Sequence, residues 1–192
     1  MEEQRSSKKS ALIIVLALVV IVVLGVVGYN ALKSNNLPQS NMDAAASQDD
    51  ALTLADLNCT IYDEAKNPLE LTDIAGGKPL VINFWTTWCP HCVEEMANFQ
   101  EAFDAYGDRV SFAMVDCVDG SRETVDAGSA YAAENGFTFP VYYDVDQSAV
   151  VVFGVTGIPA TIVFDSNGSL VLARAGELER DQVFALVEGL LN

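Results

Sequence analysis

The segment Pro79–Cys92, PLVINFWTTWCPHC, sets narrow limits on what this chain can fold into. Its first half is apolar and β-prone, as a strand buried on both faces of a sheet requires. After Pro90 the apolar positions Val93, Met96, Phe99, Phe103 and Tyr106 recur at helical spacing until Gly107 breaks the pattern. A buried strand therefore runs directly into an amphipathic helix, and Cys89 and Cys92 stand at the junction.

That position gives the two cysteines a chemistry. In the first turn of a helix this spacing brings two sulfurs within disulfide reach, and the unpaired N–H groups and helix dipole favour an anion at the first of them. Cys89 is thus the predicted nucleophile and Cys92, one turn deeper, the resolving thiol. A free thiol with a pKa of about 8.5 is only a few per cent thiolate at pH 7, so each unit of lowering, ~1.4 kcal/mol, matters for attack. His91, the single histidine, lies between the cysteines, where its protonated form would favour a Cys89 thiolate, with an exposed loop histidine as the plainer alternative. A structural zinc needs four ligands, and Cys59 and Cys117 stand alone, so neither a metal nor another cofactor is expected. Haem attachment requires a histidine directly after the second cysteine, and Val93 is there. A static disulfide is the plainer alternative.

The rest of the chain continues the β–α alternation. A hairpin is predicted from Leu57, Cys59 and Ile61 to about Leu69–Leu71, then strands at Val110–Val115, Pro140–Tyr143, Ala160–Phe164 and Ser169–Ala175. Helices are predicted at Arg122–Asn135, Gln147–Phe153 and Glu179–Leu191. Strands joined first through helices and last through a tight turn imply an α/β fold, with a mixed central sheet flanked by helices and opened by a β-hairpin. Cys59 and Cys117 fall at apolar-patterned strand positions and read as buried filler, with a second disulfide between them as the alternative.

The N-terminus asks for a different solvent. The uncharged run Ala11–Tyr29 would be about 28 Å long as a helix, close to the thickness of a bilayer's hydrocarbon core. Arg5, Lys8 and Lys9 precede it and only Lys33 closely follows, which places the N-terminus inside and the rest outside. The run is longer than the ~7–15 apolar residues of a signal peptide, and no small-residue cleavage site abuts it. The expected organisation is a cytoplasmic N-terminus at 1–10, one transmembrane anchor at 11–29, a flexible polar linker at 30–51 and a folded domain at 52–192. The formal net charge of −17 disfavours nucleic acid and anionic lipid surfaces as partners.

NFWTTWCPHC (Asn83–Cys92) and VTGIPATIVFDSNGSLV (Val155–Val171), with the hairpin ahead of the buried strand, make residues 52–192 resemble the thioredoxin superfamily. The likeness is greatest to its membrane-anchored TlpA/ResA-type thiol–disulfide oxidoreductases. The resemblance implies a redox-active Cys89–Cys92 disulfide, a cis Pro159 facing it, and Ile158 backbone groups that pair with a substrate strand. It implies that Trp88 covers the cysteines. Thioredoxin itself has a buried aspartate where this chain has Asn83. ResA-like proteins instead have a glutamate at the position of Glu95, on the helical face of Cys92, to shuttle the resolving proton. The plainer reading makes Glu94 and Glu95 solvated first-turn acids. The Pro90-His91 dipeptide departs from the usual reductant motif and matches the oxidising Dsb-type proteins, about 150 mV away from thioredoxin. Net direction is therefore open, while the long helical insert of the Dsb oxidases is missing. The implied partners are client proteins with cysteine pairs, such as apocytochrome c, and a membrane redox partner that resets the disulfide. Two other classes compete. Thr86, three residues before Cys89, echoes a peroxiredoxin element whose proline is replaced by Ile82, and a non-catalytic thioredoxin-fold docking module would use the cysteines only as structure.

Overall fold

In the computed structural model, which describes residues 53–192, the order is β1 (Thr60–Tyr62), β2 (Pro68–Glu70), α1 (Leu71–Ala75), β3 (Leu80–Trp85), α2 (Pro90–Tyr106), β4 (Ser111–Asp116), α3 (Val125–Glu134), β5 (Val141–Tyr143), α4 (Ser148–Val152), β6 (Ala160–Phe164), β7 (Leu170–Ala175) and α5 (Arg180–Gly189). The segments expected at 1–10, 11–29 and 30–51 lie outside the described residues. Among the described residues no helix is long and apolar enough to cross a membrane.

The strands form one mixed sheet in the order β2-β1-β5-β4-β3-β6-β7. Every residue of β3 is buried, as its unbroken apolar run predicts. β3 pairs parallel with β4 and antiparallel with β6, with Trp85 opposite Asp116 and Phe84 opposite Ala160. The end of β3, the start of α2 and the residue before β6, Pro159, therefore meet at one end of the central strands. β1 and β2 form the predicted hairpin, with Ile61 opposite Leu69.

Two cores sit on the two faces. On one, Met96, Phe99 and Ala102 of α2 and Val183 and Val187 of α5 pack with Trp85, Phe112 and Met114. On the other, Leu71, Ala75 and Ala149 pack with Ile82, Phe84, Val115 and Phe164. Each large apolar side chain buried in this way stabilises the fold by roughly 1.5–3 kcal/mol before entropy is counted.

The structure departs from the sequence reading where polar side chains override periodicity. The helix expected from Arg122 begins at Val125, because Asp119 Oδ1 accepts the backbone N–H groups of Ser121, Arg122 and Glu123 at 2.7, 2.7 and 2.9 Å and holds them in a turn. Thr124 then caps the helix by accepting from Ala127 N at 3.1 Å. The first strand starts at Thr60 rather than Leu57, since Leu54–Asp56 forms a 3-10 turn closed by Thr53 and Asp56. Helix α1 is five residues long, too short to leave a period, and stops at Gly76 in the left-handed conformation.

Candidate functional site

Cys89 is the N-cap of α2 and Pro90 occupies its first turn, where a missing N–H costs nothing. The sulfurs of Cys89 and Cys92 are joined at 2.11 Å. The Cys92 backbone N–H donates to Cys89 Sγ at 3.2 Å, so the open end of the helix already points a donor at the first sulfur. Cys92 is wholly buried and Cys89 is 6% exposed, which orders them as outer and inner members of the pair.

Glu95 is fully buried, so the reading of it as a solvated first-turn acid is wrong, whereas Glu94 is exposed. Asn83 Nδ2 donates to Glu95 Oε1 at 2.7 Å, and the Leu178 backbone N–H donates to Oε2 at 2.7 Å. Asn83 thus occupies the position of the missing aspartate and serves the carboxylate on the facing helix. Burial is the dominant effect and pushes the Glu95 carboxyl up to about 7, against the pull of those two donors. The buried acid is placed to gain or lose a proton near neutrality, one turn from Cys92.

His91 is turned outward from the cysteines. Its Nδ1 lies 2.9 Å from Glu177 Oε2 and 3.5 Å from Glu94 Oε2. These three ligand atoms lie within 4.8 Å of one another, the spacing a metal ion could use, but the His91–Glu177 hydrogen bond already accounts for it.

Trp88 is 40% exposed and lies beneath Arg122, whose guanidinium carbon is 3.9 Å from the ring centroid. The neighbouring Glu123 Oε2 accepts from Thr87 N at 2.9 Å and Thr87 Oγ1 at 2.8 Å, fixing the turn that leads into Cys89. Thr86 is buried, and its hydroxyl has no hydrogen-bond partner among the described residues. Trp85 is core, its ring tilted against Tyr131 with the centroids 5.9 Å apart. Behind it Asp116 is fully buried, neither carboxylate oxygen has a partner among the described residues, and a side chain at Gly128 would collide with it. Burial, then the nearby Glu123 charge, pushes the Asp116 carboxyl up to about 8.

A raised folded-state pKa gives stability that is complete in acid and is lost as pH rises through the folded value. Asp116→Asn is therefore expected to be close to neutral for stability below about pH 4 and to become progressively stabilising as pH rises, by about 1–3 kcal/mol in full at about pH 8 and above. Thermal melts of the two proteins across about pH 3.5–9 check this, and parallel pH curves would contradict it.

The Ile158–Pro159 bond is cis, and Ile158 packs against the cluster that contains both active cysteines. Gly176 N donates to Pro159 O at 2.8 Å, extending the β6–β7 ladder to the same end of the strands. Cys59 and Cys117 are both free rather than bridged to each other. Burial pushes their thiols up to about 11 and about 12, which makes both poor nucleophiles.

Glu177, Glu123, Arg122 and Asp116 carried no motif and were not singled out in the sequence. The acidic residues in Glu177-Leu178-Glu179 and Asp119–Glu123 look like ordinary surface charge until the fold brings them to the cysteines.

A disulfide at the first turn of the helix after a buried strand, beside a cis proline at the head of the neighbouring strand, defines a thioredoxin-like α/β protein. The family model described as "AhpC/TSA family" matches residues 50–173, and the chain belongs to that family. It is 30% identical over 127 residues, 66% of this chain and 70% of the relative, to Thiol-disulfide oxidoreductase ResA of Bacillus thuringiensis (strain Al Hakam). It is 24% identical over 176 residues to Thiol-disulfide oxidoreductase ResA of Geobacillus thermodenitrificans (strain NG80-2), covering 92% of this chain and 94% of that one. Among solved structures, MTB dsbF in its mixed oxidized and reduced forms superposes with a TM-score of 0.60 at 26% identity, over 70% of this chain and 96% of that one. The expected resemblance to the ResA type holds, and these relatives support oxidoreductase activity.

Proposed function

We propose that this chain exchanges its Cys89–Cys92 disulfide with cysteine pairs of client proteins outside the cytoplasm, held at the membrane by 11–29 with its N-terminus inside. The observation that carries this reading is the disulfide itself, closed at a helix start with the Cys92 N–H on Cys89 Sγ. In the reducing direction, the Cys89 thiolate attacks a client disulfide and forms a mixed disulfide, releasing one client sulfur as thiolate. Cys92, losing its proton to Glu95, then attacks Cys89 Sγ, closes the protein disulfide and expels the second client sulfur. Two electrons pass from the chain to the client, and the reverse sequence oxidises it. Pro90 starts the helix, Trp88 walls the site, and Ile158 offers backbone groups to a client strand beside Pro159. The clients implied are extracytoplasmic proteins such as apocytochrome c, and a membrane redox partner resets the pair.

The dithiol form should reduce the disulfides of insulin, followed by turbidity with dithiothreitol as electron source. The expected result is turnover that disappears in Cys89→Ser, and equal rates for the two proteins would contradict the reading. The peroxidase alternative gains nothing from Thr86, which is buried, and fast Cys89-dependent hydrogen peroxide consumption would be needed to restore it.

A further inference from the structure

Glu177 touches the redox motif from 86 residues away, and its placement is built rather than incidental. The residue before it, Gly176, has a φ of +96° that favours glycine and donates to Pro159 O at 2.8 Å. The residue after it, Leu178, donates to the buried Glu95 at 2.7 Å and accepts from Asn98 Nδ2 at 3.1 Å. With the backbone pinned on both sides, the half-buried Glu177 carboxylate meets His91 Nδ1 at 2.9 Å. A carboxylate only accepts, so Nδ1 must be the protonated nitrogen. Among the described residues no hydrogen bond joins His91 to Cys89, whose sulfur takes its bond from Cys92 N.

We infer that Glu177 is a positioning residue for the redox pair: by engaging His91 in the disulfide form, it favours disulfide over dithiol and makes the pair a weaker oxidant. This rests on the reading of Cys89–Cys92 as a redox couple. Reduction by two glutathione thiols breaks the Cys89–Cys92 bond and forms glutathione disulfide. Glutathione supplies both electrons, Cys92 ends as a thiol, and Cys89 ends as a thiolate with one proton released to solvent. That thiolate is a new anion in a site that already holds Glu177, Glu94 and the ionisable Glu95, with Arg174 the cation acting on Glu95. Two anions then compete for one imidazole, and the one held in place by its backbone already has it. Direct repulsion between the carboxylate and the thiolate acts in the same direction. Glu94 reaches the same nitrogen at 3.5 Å from a more exposed position, so its effect is smaller.

The test is the equilibrium of the purified full chain with a glutathione series. Glu177→Gln, which removes the charge, and Glu177→Ala, which removes the contact, are each expected to shift the constant about fivefold toward dithiol, about 20 mV for a two-electron couple. Glu177→Asp should fall between, and Asp181→Asn, an equal charge change at a fully solvated position, should leave the constant unchanged. In a His91→Ala background the Glu177→Gln shift should shrink. Because the chain has one histidine, its imidazole 15N signals read the contact directly. Nδ1 should be protonated in the oxidised wild type and lose that preference in Glu177→Ala. A shift toward disulfide would mean that Glu177 works by sustaining an imidazolium beside the thiolate, and it overturns the inference, as does an unchanged constant. A wild-type disulfide that never exchanges with glutathione overturns the oxidoreductase reading itself, and this inference with it.

Discussion

Cys92→Ser is expected to accumulate mixed disulfides with client proteins through Cys89, while Cys89→Ser accumulates none and loses exchange by at least about 10³-fold. The asymmetry follows from where α2 begins. Cys89 is the capping residue, with a helix N–H aimed at its sulfur, so a thiolate there is stabilised by the open end of seventeen aligned residues. Cys92 lies inside the first turn with no exposed surface, reachable only by its neighbour. Removing Cys92 leaves the attack intact and deletes the escape, so the covalent intermediate persists. The measurement is non-reducing electrophoresis of cells expressing each variant after acid quenching. Trapping through Cys92 in the Cys89→Ser protein would reverse the assigned roles.

Glu95→Gln is expected to slow the resolving step by about 10²–10³-fold and to remove its pH dependence around neutrality. Cys92 must lose a proton in a place that water does not reach, and Glu95 is the buried base on the same helical face. With its carboxyl pushed up to about 7, the basic form gains as pH passes through that value, so the wild-type rate should rise between about pH 6 and 8. Stability changes in the opposite sense. A folded-state value above the ordinary one stabilises the protein in acid, and that contribution is lost as pH rises through about 7, so Glu95→Gln should be relatively more stable at pH 8. Asn83 can accommodate the amide, because its own Oδ1 is buried without a partner and is free to accept after rotation of the amide group. Stopped-flow quenching of a preformed mixed disulfide, from pH 5.5 to 8.5, separates this step from the initial attack. An unchanged rate would mark Glu95 as a structural acid.

The central strand and the redox helix were legible because both signals are local. An uninterrupted apolar run can only be buried on both faces, and the spacing from Val93 to Tyr106 has one helical solution. Cys89, Cys92 and Glu95 fall within seven consecutive residues, so their relation followed from helix geometry. What surrounds them did not. Glu95 is held by Leu178, 83 residues on, and the Thr87 turn by Glu123, 36 residues on. These contacts come from neighbouring strands and the turns beyond them, and no periodicity records which surface acid a sheet edge will deliver to a site. The same limit applies to α1, five residues long, whose helical state is fixed by its left-handed Gly76 stop and by packing rather than by propensity. The equally short α4 does lie within the predicted Gln147–Phe153, and Asp144 sets its start by accepting from Ala149 N and Val150 N at 3.1 and 2.8 Å.

Mass spectrometry of the purified chain, alkylated after denaturing quench from a graded glutathione buffer, tests the central claim most directly. The account predicts that two labels appear together at Cys89 and Cys92 as the buffer becomes reducing and vanish together on reoxidation, while Cys59 and Cys117 are labelled throughout. A protein whose label count stays constant across the series, or whose bond migrates to Cys59 or Cys117, contradicts it.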